Sequence, residues 1–222
     1  MKPTEQQDIL LRKYLRDTMR YRETYEEVYD HVITALESNV YNGTLEEAVN
    51  QILRVDFGGY DQLRRMEAEA KTIAINDAIS RFLQFVWSYF KGMRLLYTAV
   101  FAVLVYFTLA QIKLQPLGFG AIFALVILTP GILSLRRYYV VGYLFRDVKK
   151  SIRDDVFGRI AMVPTRLFVF MGLGIIIAMD KGHNIWQNAT PAVLTVLYAL
   201  SAIYLLSLVR LYRDEFKISI QS

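Results

Sequence analysis

LLYTAVFAVLVYFTLAQI, residues 95–112, runs its whole length without a charged side chain. A helix needs about 20 predominantly apolar residues to cross the roughly 30 Å of hydrocarbon in a bilayer, so this stretch reads as a membrane span. Three more follow it: Leu117–Leu135, Ile160–Met179 and Ala189–Val209. The chain is 54% hydrophobic over 222 residues, and the excess sits in these blocks rather than being spread as in a globular core. The central parts of the four stretches carry no Asp, Glu, Lys, Arg or His. Proton relays, ion pathways and voltage sensors depend on such residues facing the bundle interior, so a secondary transporter or an intramembrane hydrolase is disfavoured. Hydroxyls at Thr98, Thr108, Ser134, Thr195, Ser201 and Ser207 fit ordinary helix packing.

The charges outside these blocks give an orientation. Residues 1–94 hold 13 Lys+Arg and 15 Asp+Glu, residues 136–166 hold 8 against 3, and the tail from Arg210 holds 3 against 2. The two remaining connections hold Lys113 alone and the pair Asp180 and Lys181. Short cytoplasmic loops collect Lys and Arg. Both termini and the 136–166 loop are therefore expected on the cytoplasmic side of the cell inner (plasma) membrane. The net charge of +5 is then a topological signal, and direct nucleic-acid binding is not expected. The first thirty residues are polar, with no apolar core of the signal-peptide kind, so the chain is expected to enter the membrane by its own spans. There are no cysteines, which excludes disulfides, thiolate metal sites and cysteine nucleophiles.

Residues 1–75 predict a small helical head. A first helix is expected from Asp8 through Leu15, and a second over Tyr21–Leu36, where Tyr21, Tyr25, Val28, Tyr29, Val32 and Leu36 recur at three- and four-residue steps. Glu23, Glu26 and Glu27 suit the positive end of its dipole. Asn42-Gly43 marks a turn, and Thr44-Leu45-Glu46-Glu47 has the form of a capping box. It opens a third helix carrying Ala48, Val49, Ile52 and Leu53, which Phe57-Gly58-Gly59 stops. From Tyr60 the helical pattern runs on to about Lys91, so residues 76–93 predict a connector helix at the membrane interface. Trp87, Tyr89, Phe90, Lys91 and Arg94 are the aromatic and basic residues that settle there. Thr129-Pro130-Gly131 predicts a kink in the second span, and Pro164 and Arg166 interrupt the start of the third. Thr190-Pro191 opens the fourth.

Two surfaces stand out as candidates for binding. The stripe Tyr21, Tyr25 and Tyr29, with Glu26 and Glu27, is either core or the face that meets a cytoplasmic protein partner. In the inner loop, Arg146, Lys149, Lys150 and Arg153 fall on one side at helical steps, with Phe145, Val148, Ile152 and Val156 on another. That pattern predicts an amphipathic helix against anionic membrane lipids, or one packed on the head. Gly172 and Gly174 permit close helix approach. His31 and His183 lack the partners a metal site needs, and no catalytic triad, HExxH helix or phosphate-binding glycine loop is present. No cofactor is expected.

The run Tyr21-Arg22-Glu23-Thr24-Tyr25-Glu26-Glu27-Val28-Tyr29-Asp30-His31, then Gly43-Thr44-Leu45-Glu46-Glu47-Ala48, then Asp56-Phe57-Gly58-Gly59 resembles the HAAS signalling domains and the related permease-prefix domains, over about residues 6–70. Those families show an acidic "EE…H" helix, a "G-x-x-x-E-A" helix start and a closing "F/L-G" turn. The resemblance implies a small cytoplasmic helical domain at the N-terminus of a membrane protein, often encoded beside a PadR-type transcriptional regulator. It carries no established catalytic residues.

The expectation is therefore an all-α integral membrane protein: head 1–75, connector 76–93, a four-span domain 94–210 and a tail 211–222. Its expected role is non-enzymatic signalling or regulation through a partner of the head. A second reading is an oligomeric structural, pore-forming or transporter-accessory subunit, the head serving homo-oligomerisation. An enzyme acting on lipid is a third, and no polar cluster at one membrane face supports it.

Overall fold

The structure is a computed structural model that describes residues 3–38, 43–112, 115–145, 148–179 and 190–216. Every element among them is an α-helix: α1 Glu5–Thr18, α2 Arg22–Ser38, α3 Leu45–Asp56, α4 Tyr60–Ser88, α5 Gly92–Ile112, α6 Gln115–Val141, α7 Ile152–Met179 and α8 Pro191–Phe216. The chain divides into two compact units, Met1–Asn76 with Val141–Val156, and Asp77–Val140 with Phe157–Ser222.

The first unit is built on α1–α3 and the start of α4. Its core joins Leu11 and Leu15 of α1, Val28, Val32 and Leu36 of α2, Val49, Ile52 and Leu53 of α3, and Leu63 of α4. These are the inward positions of three amphipathic helices, none of which can bury its apolar stripe alone. The termini are fixed locally. The Thr44 hydroxyl accepts the Glu47 amide at 3.3 Å and the Glu47 carboxylate accepts the Thr44 amide at 3.0 Å, the reciprocal arrangement expected for α3. Thr4 and Gln7 form the same box at α1, so that helix begins three residues before the expected Asp8. Gly58 and Gly59 take φ of 68° and 85°, and the Gly59 amide reaches back 2.8 Å to the Leu53 carbonyl. A side chain at either position would strain the backbone.

The segment Val141–Val156 belongs to this first unit. Here the structure corrects the expected amphipathic helix. Gly142 turns the chain at a φ of 84°, residues 142–145 and 148–151 are non-helical, and α7 begins only at Ile152. Arg146 lies outside the described residues.

In the second unit α5 packs along α8. Phe157, Tyr212 and Phe216 form an aromatic triangle with centroids 5.0–5.6 Å apart, and Ala161, Leu208 and Leu211 complete the core beside Phe82 and Phe85. The Tyr204 hydroxyl donates to the Ala161 carbonyl at 3.0 Å. Three helical segments among the described residues are long and apolar enough to cross a membrane: Gly92–Gln111, Gly120–Val141 and Pro191–Phe216. Only 6% of the first is buried, and Leu96, Tyr97, Val103, Leu104 and Phe107 are all more than half exposed. A helix with large apolar side chains open around much of its circumference suits hydrocarbon rather than water. α6 runs through Pro130, and α7, which holds the remaining apolar stretch, runs through Pro164.

Candidate functional site: a polar latch in the head

Glu67 of α4 is 6% exposed, where an unpaired carboxylate would be costly. It accepts the backbone amides of Arg20 and Tyr21 at 3.0 and 3.1 Å, which fixes the bend between α1 and α2. One turn further along α4, Lys71 reaches Asp155 of α7 at 2.6 Å and donates to the Tyr21 hydroxyl at 2.7 Å. The Tyr21 hydroxyl itself donates to Asp155 at 3.3 Å, and Lys150 adds a second cation at 2.8 Å. Burial alone would raise the Asp155 pKa, but the hydrogen bonds and charges of Lys150 and Lys71 prevail and hold it well below the usual carboxylate range.

A second set of contacts closes over the same segment. Glu23, in the first turn of α2, accepts the Ile152 amide at 3.1 Å and the Ser151 hydroxyl. An acidic side chain from one helix thus satisfies an orphan donor at the start of another. The Arg22 amide donates to the Lys150 carbonyl at 3.1 Å. The Tyr143 hydroxyl accepts the Ser151 amide at 3.0 Å and donates to Asp154. Burial, then the bond to Asp154, raises the Tyr143 pKa. Together these contacts bind the α6–α7 connection to α2 and α4 within the first unit. Beside them Asp17, Arg20, Tyr21, Arg64, Glu67 and Lys71 line a cleft of about 590 Å³.

The sequence-derived candidates fall unequally on this arrangement. Tyr21 is buried at 3% exposure and its hydroxyl lies inside the latch. Tyr25 and Tyr29 are half-buried against the head core and stack at 6.1 Å. Tyr29 also donates to Asp8 at 2.6 Å and lies under the Arg12 guanidinium at 4.2 Å. Burial first, then the bond to Asp8, pushes its pKa up to about 12. Of the five candidate partner residues, Glu26 and Glu27 stand exposed. Lys150 is engaged by Asp155, Lys149 is half-buried with its pKa lowered by desolvation, and Arg153 is exposed.

His31 pairs with Asp56 at 2.8 Å and meets the Phe57 ring edge-on at 4.9 Å, tying α2 to the end of α3. Among the described residues no group of three or more His, Asp or Glu is placed to hold a metal ion. His183 and Asp180 lie outside them. Sequence reasoning missed Glu23 as a cap, Glu67, Lys71, Tyr143, Ser151 and Asp155. The one local signal was Ser151-Ile152-Arg153-Asp154, which has the S-x-x-D form of a helix start. No family model, no curated protein and no solved structure matches this chain.

Proposed function

We propose that this chain is a non-enzymatic signalling or regulatory membrane protein. Four helices cross the inner membrane, both ends are cytoplasmic, and the head binds a cytoplasmic protein. The observation that carries the reading is the pairing of Lys71 and Lys150 with Asp155, with Glu23 capping α7. Through these contacts the connection between two apolar helices is part of the head fold. A protein that docks on the head and favours one arrangement of this latch would bias the segment leading into α7, which is how a binding event becomes a signal. The continuous α4, from Tyr60 to Ser88, offers a second covalent route. The resemblance to HAAS-type domains supports the same role and points to a transcriptional regulator as the class of partner. The exposed Glu26 and Glu27 on α2 are the proposed contact, and the excess of Lys and Arg over residues 136–166 supports the orientation.

The test is a photo-crosslinker placed at Glu26 or Glu27 of the full chain in cells, followed by mass spectrometry of the adducts. Capture of a DNA-binding regulator, diminished by Asp155→Asn, is the expected result. Adducts with other copies of the chain alone, together with ion conductance in liposomes, would replace this reading with the oligomeric pore or structural subunit.

A further inference from the structure

We infer that α5 and α8 form a binding site for one anionic glycerophospholipid, with its phosphate at Arg94 and an acyl chain in the groove between the helices. The inference rests on the reading that these two helices lie in a bilayer. The groove has a volume of about 230 Å³, smaller than sites for drug-sized ligands and suited to part of a single chain. Its walls are Tyr97 and Phe101 on one side, and Ala199, Ala202 and Ile203 on the other. The two alanines supply the width, since any larger side chain there would project into the space between the helices.

The groove itself is almost wholly apolar, and its one charged residue stands at its end. Arg94 lines it beside Tyr89, and its guanidinium lies 5.8 Å from the Tyr89 ring centroid. It donates to the Ser88 hydroxyl at 2.6 Å, which uses one of five donors. Thr98 is occupied by its own helix, donating to the Arg94 carbonyl at 2.9 Å, and Arg94 is the one charged residue in the lining. Its position is electrostatically unusual. Arg94 sits in the first turn of α5, where the unsatisfied amides already make the helix end positive. That turn holds no acidic residue, and Lys91 precedes it. The helix end and Arg94 are therefore two positive features at this rim, with Lys91 three residues earlier in the chain and no acidic side chain in the first turn of α5 to offset them. A phosphate is the complement, through charge-assisted bidentate bonds to the guanidinium. Along α5 the groove then passes from Arg94 to Phe101, one turn at a time into the apolar span, as a lipid does from headgroup to tail.

The full chain is reconstituted in vesicles of mixed phosphatidylglycerol and phosphatidylcholine, extracted in mild detergent, and its co-purifying lipid is quantified by native mass spectrometry. Phosphatidylglycerol is expected to be enriched over its input share. Arg94→Gln should lower that enrichment about fivefold, with Arg94→Lys retaining part of it. Ala202→Phe should reduce retained lipid of both kinds by filling the groove. Arg94 is exposed, so its variants answer the question even where Ala202→Phe fails to fold. Equal enrichment in the wild type and Arg94→Gln, or no preference between the two lipids, overturns the site. Alkaline carbonate extraction separates the two levels of failure: a chain that stays in the pellet without lipid preference loses only this site, whereas one released to the supernatant loses the membrane reading as well.

Discussion

Lys71 Nζ and Asp155 Oδ2 lie 2.6 Å apart, joining the middle of α4 to the first turn of α7. Both side chains are little exposed, at 12% and 16%, so the pair is shielded from the screening that makes surface ion pairs weak. The energetic consequence is asymmetric. Removing the carboxylate leaves the buried Lys71 without its anion and Lys150 beside it, whereas removing both members of the buried pair leaves only Lys150, which is 42% exposed and so reaches water. Asp155→Asn is expected to destabilise the head by about 2–4 kcal/mol. The Lys71→Met/Asp155→Leu double variant should cost less than the sum of its single changes. Thermal unfolding of the full chain in detergent, read as a double-mutant cycle, measures the coupling. Additive effects would show that the pair is not coupled.

The same carboxylate sets a pH dependence with a definite sign. Asp155 titrates below its ordinary range in the folded chain, while the unfolded chain offers the ordinary value near about 3.9. The stabilisation is therefore complete above the unfolded value and is lost as pH falls through the depressed folded one. Between pH 6 and 8 it does not change. The stability gap between wild type and Asp155→Asn is expected to be constant across that neutral range and to narrow as the solution is brought below about pH 4. Melting curves of both proteins at pH 7, 5 and 3 decide this. A gap as wide at pH 3 as at pH 7 would mean that the aspartate stabilises the head by shape rather than by charge.

Glu23 should act locally. It accepts the Ile152 amide and the Ser151 hydroxyl at the start of α7, the role an N-cap side chain ordinarily plays from the same helix. Glu23→Ala is expected to cost about 1–2 kcal/mol, concentrated in the first turn of α7. Hydrogen exchange should show faster exchange at the amides of Ile152 and its neighbours, with α3 unaffected. Uniformly faster exchange through the head would assign Glu23 to the general stability of the unit instead.

The contrast between α3 and the 142–151 segment shows what a sequence of this kind discloses. Thr44, Glu47, Ala48, Val49, Ile52 and Leu53 are ordered by bonds and packing that repeat every three or four residues. Their roles are therefore written in local spacing, and the structure places each of them accordingly. The basic residues at 149, 150 and 153 have the same spacing, yet only Arg153 is on a helix and the chain at 149 and 150 is irregular. Gly142 turns it, Tyr143 ties it to Ser151, and Glu23 and Lys71 hold it from distant helices. Long-range bonds leave no periodic trace, so helical spacing there was coincidental. Tyr21 is an intermediate case. Its place in the α2 stripe marks it as inward-facing, but nothing local marks its hydroxyl as a partner of Lys71 and Asp155. For the apolar stretches the sequence disclosed membrane-compatible helices through composition alone, and α6 and α8 extend beyond the ends those stretches suggested.

The head core offers the sharpest contrast between neighbouring apolar residues. Ile52 is 2% exposed among Val32, Val49 and Leu53, whereas Ile9 on α1 is 60% exposed. An aspartate at 52 would bury a charge where the apolar core surrounds it, at a cost of several kcal/mol; that is comparable to the whole stability of a small domain. Ala48→Asp, at 3% exposure, should act in the same way. Ile9→Asp should be almost neutral, because its side chain already faces solvent. Because the chain divides into two compact units, Ile52→Asp is expected to open the first while the helices of the second stay folded. Limited proteolysis of the full chain in detergent reads this directly. The variant should be cut within α1–α3 and in the 142–151 connection, which belongs to the same unit, leaving protected fragments that hold α5–α6 and α7–α8, while Ile9→Asp should resist like the wild type. Equal resistance of all three proteins would mean that the face of α3 bearing Ile52 is not the core of the head.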